Sequence, residues 1–80
     1  MTHVPHELHD EFPEAGEALH RLKGENPHFA KLADEYHTVN REIHRIEAEV
    51  EAASDARAEE LKKRRLTLKD EIAQILRAAV

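Results

Sequence analysis

The stretch NPHFAKLADEYHTVNREIHRIEAEVEAA, residues 26–53, decides the fold. Its apolar positions are Phe29, Leu32, Tyr36, Val39, Ile43, Ile46, Val50 and Ala53, spaced alternately by three and by four. That spacing puts all of them on one stripe of an α-helix, and its seven-residue repeat is the seam of a coiled coil. Phe29, Tyr36, Ile43 and Val50 take the a positions; Leu32, Val39, Ile46 and Ala53 take the d positions. Asn26 and Pro27 open the segment. An asparagine side chain accepts from the unpaired amides of a first turn, and a proline at the first helical position sacrifices no hydrogen bond. A helix is predicted over about 27–53.

Downstream, Ser54 and Asp55 offer capping side chains. A second seam follows, at Ala58, Leu61, Arg65, Leu68, Ile72, Ile75 and Ala79, and predicts a helix over about 56–78. The two seams are out of phase, since continuing the first would require core positions at 57 and 60. One reading is a single long helix with a one-residue skip. The other is a turn at 54–57 that folds the chain back, although no Gly or Pro marks it. Pairing favours the turn. With Ala53 facing Ala58, Val50 meets Leu61, Ile46 meets Arg65, Ile43 meets Leu68, Val39 meets Ile72, Tyr36 meets Ile75 and Leu32 meets Ala79. On the flanks Glu47 falls beside Lys62, Glu49 near Arg64 and Asn40 by Lys69, and Ala33 meets Leu76. Glu42 near Glu71 is the one like-charge pair. Short connections normally join antiparallel helices. Arg65, the one polar seam residue, is expected to lay its stem on Ile46 and extend its guanidinium to a carboxylate; the alternative is a device that sets register or partner choice.

Toward the N-terminus, Pro13 opens a shorter helix over about 13–23. Glu14 and Glu17 suit its positive end, Ala15, Ala18, Leu19 and Leu22 form its apolar side, and Gly24 is placed to end it in a left-handed conformation. Residues 1–12 have no sustained period and are expected to be a poorly ordered leader. The expected architecture is all-α: an antiparallel two-helix coiled-coil hairpin preceded by a short helix, with residues 13–80 as one domain. Leu19, Leu22, Leu66, Ala73 and Leu76 lie off the main seam and are candidates for contact with another helix or another copy of the chain.

Composition agrees. Among 80 residues, 36% are charged and 4% aromatic, which suits long helices with a narrow apolar seam better than a thick core. So short a chain gains from self-association. No cysteine is present, so neither disulfides nor thiolate metal sites arise. No apolar run approaches the ~20 residues of a membrane span, and the first residues lack the marks of a secretory signal, so a cytoplasmic protein without membrane contact is expected. The net charge is −5 with histidines neutral; protonating all seven would carry it to +2, so solubility is expected to change in mild acid.

Three features could carry chemistry. His3, His6 and His9 are spaced by three, which on a helix would gather imidazoles for Zn²⁺, Ni²⁺ or Cu²⁺. Pro5 interrupts them, and the plainer reading is a solvated leader with no metal and no cofactor. Lys62, Lys63, Arg64 and Arg65 form the one basic run. Helical geometry spreads it around the axis, and an acidic chain with few aromatics is a poor nucleic-acid binder. Catalysis has the least support. There is one serine, no nucleophile motif and no phosphate-cradling loop, and a two-helix seam forms no deep pocket, so no enzymatic activity is expected.

The segments RLKGENPHFAKLADEYHTVNREI (21–43) and LKKRRLTLKDEIAQIL (61–76) closely resemble the YdcH-like family of small bacterial proteins, a domain of unknown function. The resemblance covers about 21–77 and extends to residues off the seam, including the Asn26-Pro27 start and the run Leu68-Lys69-Asp70-Glu71. It implies a bacterial source and a helical hairpin, and it brings no catalytic residues. The His- and Glu-rich leader departs from the pattern. The expected function is protein–protein interaction, with a second copy or a larger bacterial protein as partner.

Overall fold

The computed structural model describes residues 5–48 and 52–79, and among them every regular element is helical. A one-turn helix α1 (Leu8–Glu11) leads through a 3₁₀ turn (Pro13–Ala15) into α2 (Gly16–Glu25), α3 (Pro27–Glu47) and α4 (Asp55–Ala78).

The boundaries follow local chemistry. Asn26 precedes a proline and is therefore pushed out of the helical region. It adopts φ −120°, ψ 103°, which ends α2, and its Oδ1 accepts from the Phe29 amide at 3.1 Å, which starts α3. Gly24 was expected to end the preceding helix in a left-handed turn; α2 instead runs through it to Glu25, and no glycine among the described residues has a positive φ. Pro13 begins a 3₁₀ turn, so the α-helix predicted to start there starts at Gly16. Ser54 caps α4, its Oγ accepting from the Arg57 amide at 3.1 Å. The helix predicted from about 56 therefore starts at Asp55, and the turn predicted at 54–57 does not lie at those positions.

The main departure is at the far end of α3. The predicted helix to residue 53 stops at Glu47 with Ala48 as its C-cap, and Ala52 and Ala53 lie outside any helix. Neither one continuous helix nor the pairing of Ala53 with Ala58 survives, and Val50 and Glu49 lie outside the described residues. α3 and α4 run in opposite directions, as their cross-contacts show: Glu42 with Arg57 at 3.2 Å, Asn40 with Arg65 at 2.9 Å, and Glu35 with Arg64. This is not the predicted register. Arg65 meets Asn40 instead of lying on Ile46, Arg64 meets Glu35 instead of Glu49, and Glu42 meets Arg57 instead of opposing Glu71. The cause is the repeat itself. Sliding antiparallel helices by a whole heptad keeps apolar residues on apolar residues, so polar partners decide the register.

Phe29, Leu32, Tyr36 and Ile43 of α3 and Leu61, Leu68 and Ile72 of α4 are buried, whereas Val39, Ile46, Arg65 and Ile75 are only half-buried. The core extends beyond this pair. Leu8 of α1, Leu19 and Leu22 of α2, Ala33 and Leu76 pack into the same cluster, flanked by Phe12, Ala15 and Ala18. The leader from residue 5 onward is thus built into the molecule, contrary to the expected disorder. Its single large apolar residue within α1, Leu8, is 6% exposed.

Truncating such a side chain removes burial and leaves a cavity. Leu8→Ala is expected to lower stability by about 2–4 kcal/mol, whereas Leu66→Ala, on the exposed face of α4, stays within about 0.5 kcal/mol. Urea denaturation followed by helical circular dichroism checks both.

Candidate functional site

Three features of the molecule could carry function: a buried polar relay, a cleft lined by histidines, and a groove beside the outer face of α4.

The relay joins the leader to both long helices. His6 has φ 64°, a left-handed conformation that histidine tolerates better than branched residues. In this turn the main chain presents two carbonyls to α3. The Tyr36 hydroxyl donates to the His6 carbonyl, and Asn40 Nδ2 donates to the Pro5 carbonyl at 2.9 Å. Asn40 Oδ1 in turn accepts from Arg65 Nη1 at 2.9 Å. Asn40 is 1% exposed and Tyr36 fully buried. Arg65 was expected to reach a carboxylate; its partner is this amide oxygen. Among the described residues no buried side-chain polar atom lacks a partner. Burial pushes the Tyr36 hydroxyl up to about 12, helped by the nearby charges of Glu11, Glu7 and Asp10 and opposed by Arg65. The phenol therefore stays a neutral donor throughout the physiological range.

Charged contacts at the rim tie the leader down further. His37 Nδ1 lies 3.0 Å from Glu7 Oε2, His6 Nδ1 lies 3.0 Å from Glu11 Oε1, and Lys69 Nζ lies 3.7 Å from Glu11 Oε2. These are exposed pairs, each worth little alone.

The histidine cleft, about 350 Å³, lies between α1, α2 and α3, with His9, His20 and His37 along its walls beside Glu7, Asp34 and Lys23. The described residues contain no group of three or more His, Cys, Asp or Glu able to hold a metal ion. The helical face imagined for His3, His6 and His9 does not form: His6 sits in a left-handed turn and His3 lies outside the described residues.

The basic run is dispersed. Arg65 turns inward to Asn40, Arg64 pairs with Glu35 at the exposed surface, and Lys62 and Lys63 are exposed.

On the outer side of α4, Leu66 is 60% exposed and stands as the exposed large hydrophobic residue among those described. One heptad along the same stripe, half-buried Ala73 lines a groove of about 420 Å³ together with Phe12, Pro13, Ala15 and Leu76 and the charged residues Glu11, Glu14 and Arg77. Of the residues proposed for contact with another helix, Leu19, Leu22 and Leu76 are buried in the chain's own core, Leu76 at 6% exposure also lining the groove. Only Leu66 and Ala73 remain on an outward face. The relay was missed by reading the seam alone. The first two e positions of α3, Ala33 and Asn40, are uncharged, although the third is Glu47, while the g positions Glu35 and Glu42 are acidic. That asymmetry marks one flank as covered and the other as facing water.

Helices packed on one small core, with no strand among the described residues, define a small all-α protein. Within that class the family is plain. The family described as "Protein of unknown function (DUF465)" matches residues 29–76. The chain is 40% identical over 65 residues to "Uncharacterized protein YdcH" of Escherichia coli K12, covering 81% of this chain and 88% of that one, and equally to the protein of the same name from Shigella flexneri. No solved structure matches the chain. The chain belongs to this YdcH-like bacterial family, whose molecular function is unknown.

Two measurements test the relay. Burial raises the Tyr36 hydroxyl from the ordinary 10.0 to about 12. Its neutral form is favoured by folding, so its contribution is fully present below pH 10 and is lost as pH rises toward 12. Ultraviolet titration of the phenolate should give that raised midpoint, and Tyr36→Phe should remove this alkaline loss while costing about 1–3 kcal/mol at neutral pH from the unpaired His6 carbonyl. Asn40→Leu should destabilise by a similar ~1–3 kcal/mol, and Asn40→Leu with Arg65→Met should recover part of it, because the second change removes the stranded cation.

Proposed function

We propose that this chain is a protein–protein interaction module without catalytic activity, working in the cytoplasm, and that its docking surface is the outer face of α4 with the adjoining groove. The observation that carries the reading is the exposure of Leu66 one heptad from the groove at Ala73. A single exposed leucine is ordinary by itself; Leu66, 60% exposed in the middle of a 24-residue helix, shares its α4 stripe with Ala73 of an apolar groove one heptad on, and the two together support a contact with another protein. The rest of the molecule supports this by subtraction. Leu19 and Leu22 serve the internal core, the relay is satisfied within the chain, and the exposed sides of α2 and α3 are polar. No helix among the described residues is long and apolar enough to cross a membrane.

A photoreactive amino acid placed at position 66, and for comparison at exposed Arg41 on α3, checks the reading in a bacterial cell that carries the protein naturally. Discrete cross-linked products are expected from position 66 and none from position 41. Absence of any product from position 66 contradicts the proposal.

A further inference from the structure

We propose that the surface of α3 and α4 beneath the leader is a peptide-binding site, occupied in the closed chain by its own residues 5–11, and that it receives from another protein a short acidic segment carrying a leucine. This surface is separate from the outer face of α4 and does not depend on it.

The seated leader shows how the site reads a chain. Asn40 Nδ2 donates to the Pro5 carbonyl and the Tyr36 hydroxyl to the His6 carbonyl, so two successive positions are held through main chain alone. His37 then meets the Glu7 carboxylate at 3.0 Å, Leu8 enters the core at 6% exposure, and Lys69 meets Glu11 at 3.7 Å. In each of these polar contacts the helices supply the proton or the positive charge, and the leader supplies the acceptor or the negative charge. The ligand chemistry is therefore definite: two successive carbonyls, then an acid, then a leucine, then a second acid one helical turn after the first. Residues 1–20, with five acids and no lysine or arginine, meet that description within the chain.

The leader holds this site weakly. Its helix α1 is four residues long, too short to persist alone, and Leu8 is the one buried residue in it. It also docks with a strained backbone, because His6 sits at φ 64°, a region that favours glycine. A segment with glycine at that place, and the same acid and leucine after it, docks without that cost. A second copy of the chain offers only the same strained leader, and the tethered one outcompetes it through its high local concentration. The occupant is therefore a segment of another protein. Its carbonyls would satisfy the Asn40 and Tyr36 donors that the departing leader frees.

The probe is a fluorescent synthetic peptide of residues 3–14, added to the full chain and followed by anisotropy. The parent, closed on its own leader, should bind it weakly. Leu8→Ala loosens the tethered leader and should bind the peptide about tenfold tighter or more. His37→Glu, a substitution at an exposed position, should reverse the choice of acid. That variant should prefer a Glu7→Lys peptide over the original by roughly fivefold, whereas Leu8→Ala should prefer the original. A purely structural role for His37 would not exchange that preference. Equal binding by the parent and Leu8→Ala, no binding by any of the three proteins, or an unchanged preference in His37→Glu overturns the proposal. Where Leu8→Ala loses helicity by circular dichroism, the His37→Glu preference decides alone. Sedimentation tests the remaining occupant: a parent dimer that Leu8→Ala dissolves shows exchange of leaders between copies and overturns the proposal as well.

Discussion

The side-chain amide of Asn40 holds the architecture together. It is 1% exposed, donates to the Pro5 carbonyl and accepts from Arg65, so one residue of α3 connects the leader and α4. A buried amide left unpaired costs about 1–3 kcal/mol, a large share of the stability of so small a domain. Any arrangement of these helices must therefore supply both a donor and an acceptor at this point. Sliding α4 by a heptad would keep apolar residues facing one another, yet it would carry Arg65 away and leave the amide oxygen without its donor. The polar contact thus chooses among registers that the hydrophobic effect alone leaves nearly equal.

This explains which parts of the molecule are readable in the sequence. The helical nature of 27–47 and 55–78 is written in uninterrupted three–four spacing, and the start of α3 in the Asn26-Pro27 pair. Ser54 likewise announces the start of α4. The end of α3 has no such signal. The apolar repeat continues through Val50 and Ala53, but periodicity says only that a segment is able to be helical, whereas the connection to an antiparallel neighbour decides where it must stop. Register was hidden for the related reason that a perfect heptad repeat looks the same after a shift of seven. Arg65, placed by its seam position against Ile46, carried the missing information, but only Asn40 gives that information a direction.

The leader was hidden for a different reason. Its order comes from contacts thirty or more residues away in sequence: Tyr36 to the His6 carbonyl, Asn40 to the Pro5 carbonyl, His37 to Glu7. None of these leaves a periodic trace in residues 5–12. With Leu8 added, the narrow seam between α3 and α4 becomes a three-sided core that also engages Leu19 and Leu22. That answers how a chain with 4% aromatic residues encloses Phe29 and Tyr36 completely. It also reassigns apolar residues that look available for a partner when the hairpin is considered by itself.

The acceptors at the leader are main-chain carbonyls, and this shapes what the segment must be. A carbonyl presents the same acceptor whatever side chain its residue bears. The family match begins at Phe29 and includes Tyr36, Asn40 and Arg65, while the carbonyls they address lie outside it, at residues 5 and 6. The helical part can therefore specify a cover through its own side chains while asking little of the cover's sequence: a backbone able to turn left-handed at His6 and one apolar side chain, Leu8, to fill the core. Once that cover is in place, the flank of α3 at Ala33 and Asn40 is closed, the g-position flank is spanned at the water-facing surface by Glu35–Arg64 and Glu42–Arg57, and among the described residues the exposed large hydrophobic side chain is Leu66, one heptad before the groove at Ala73.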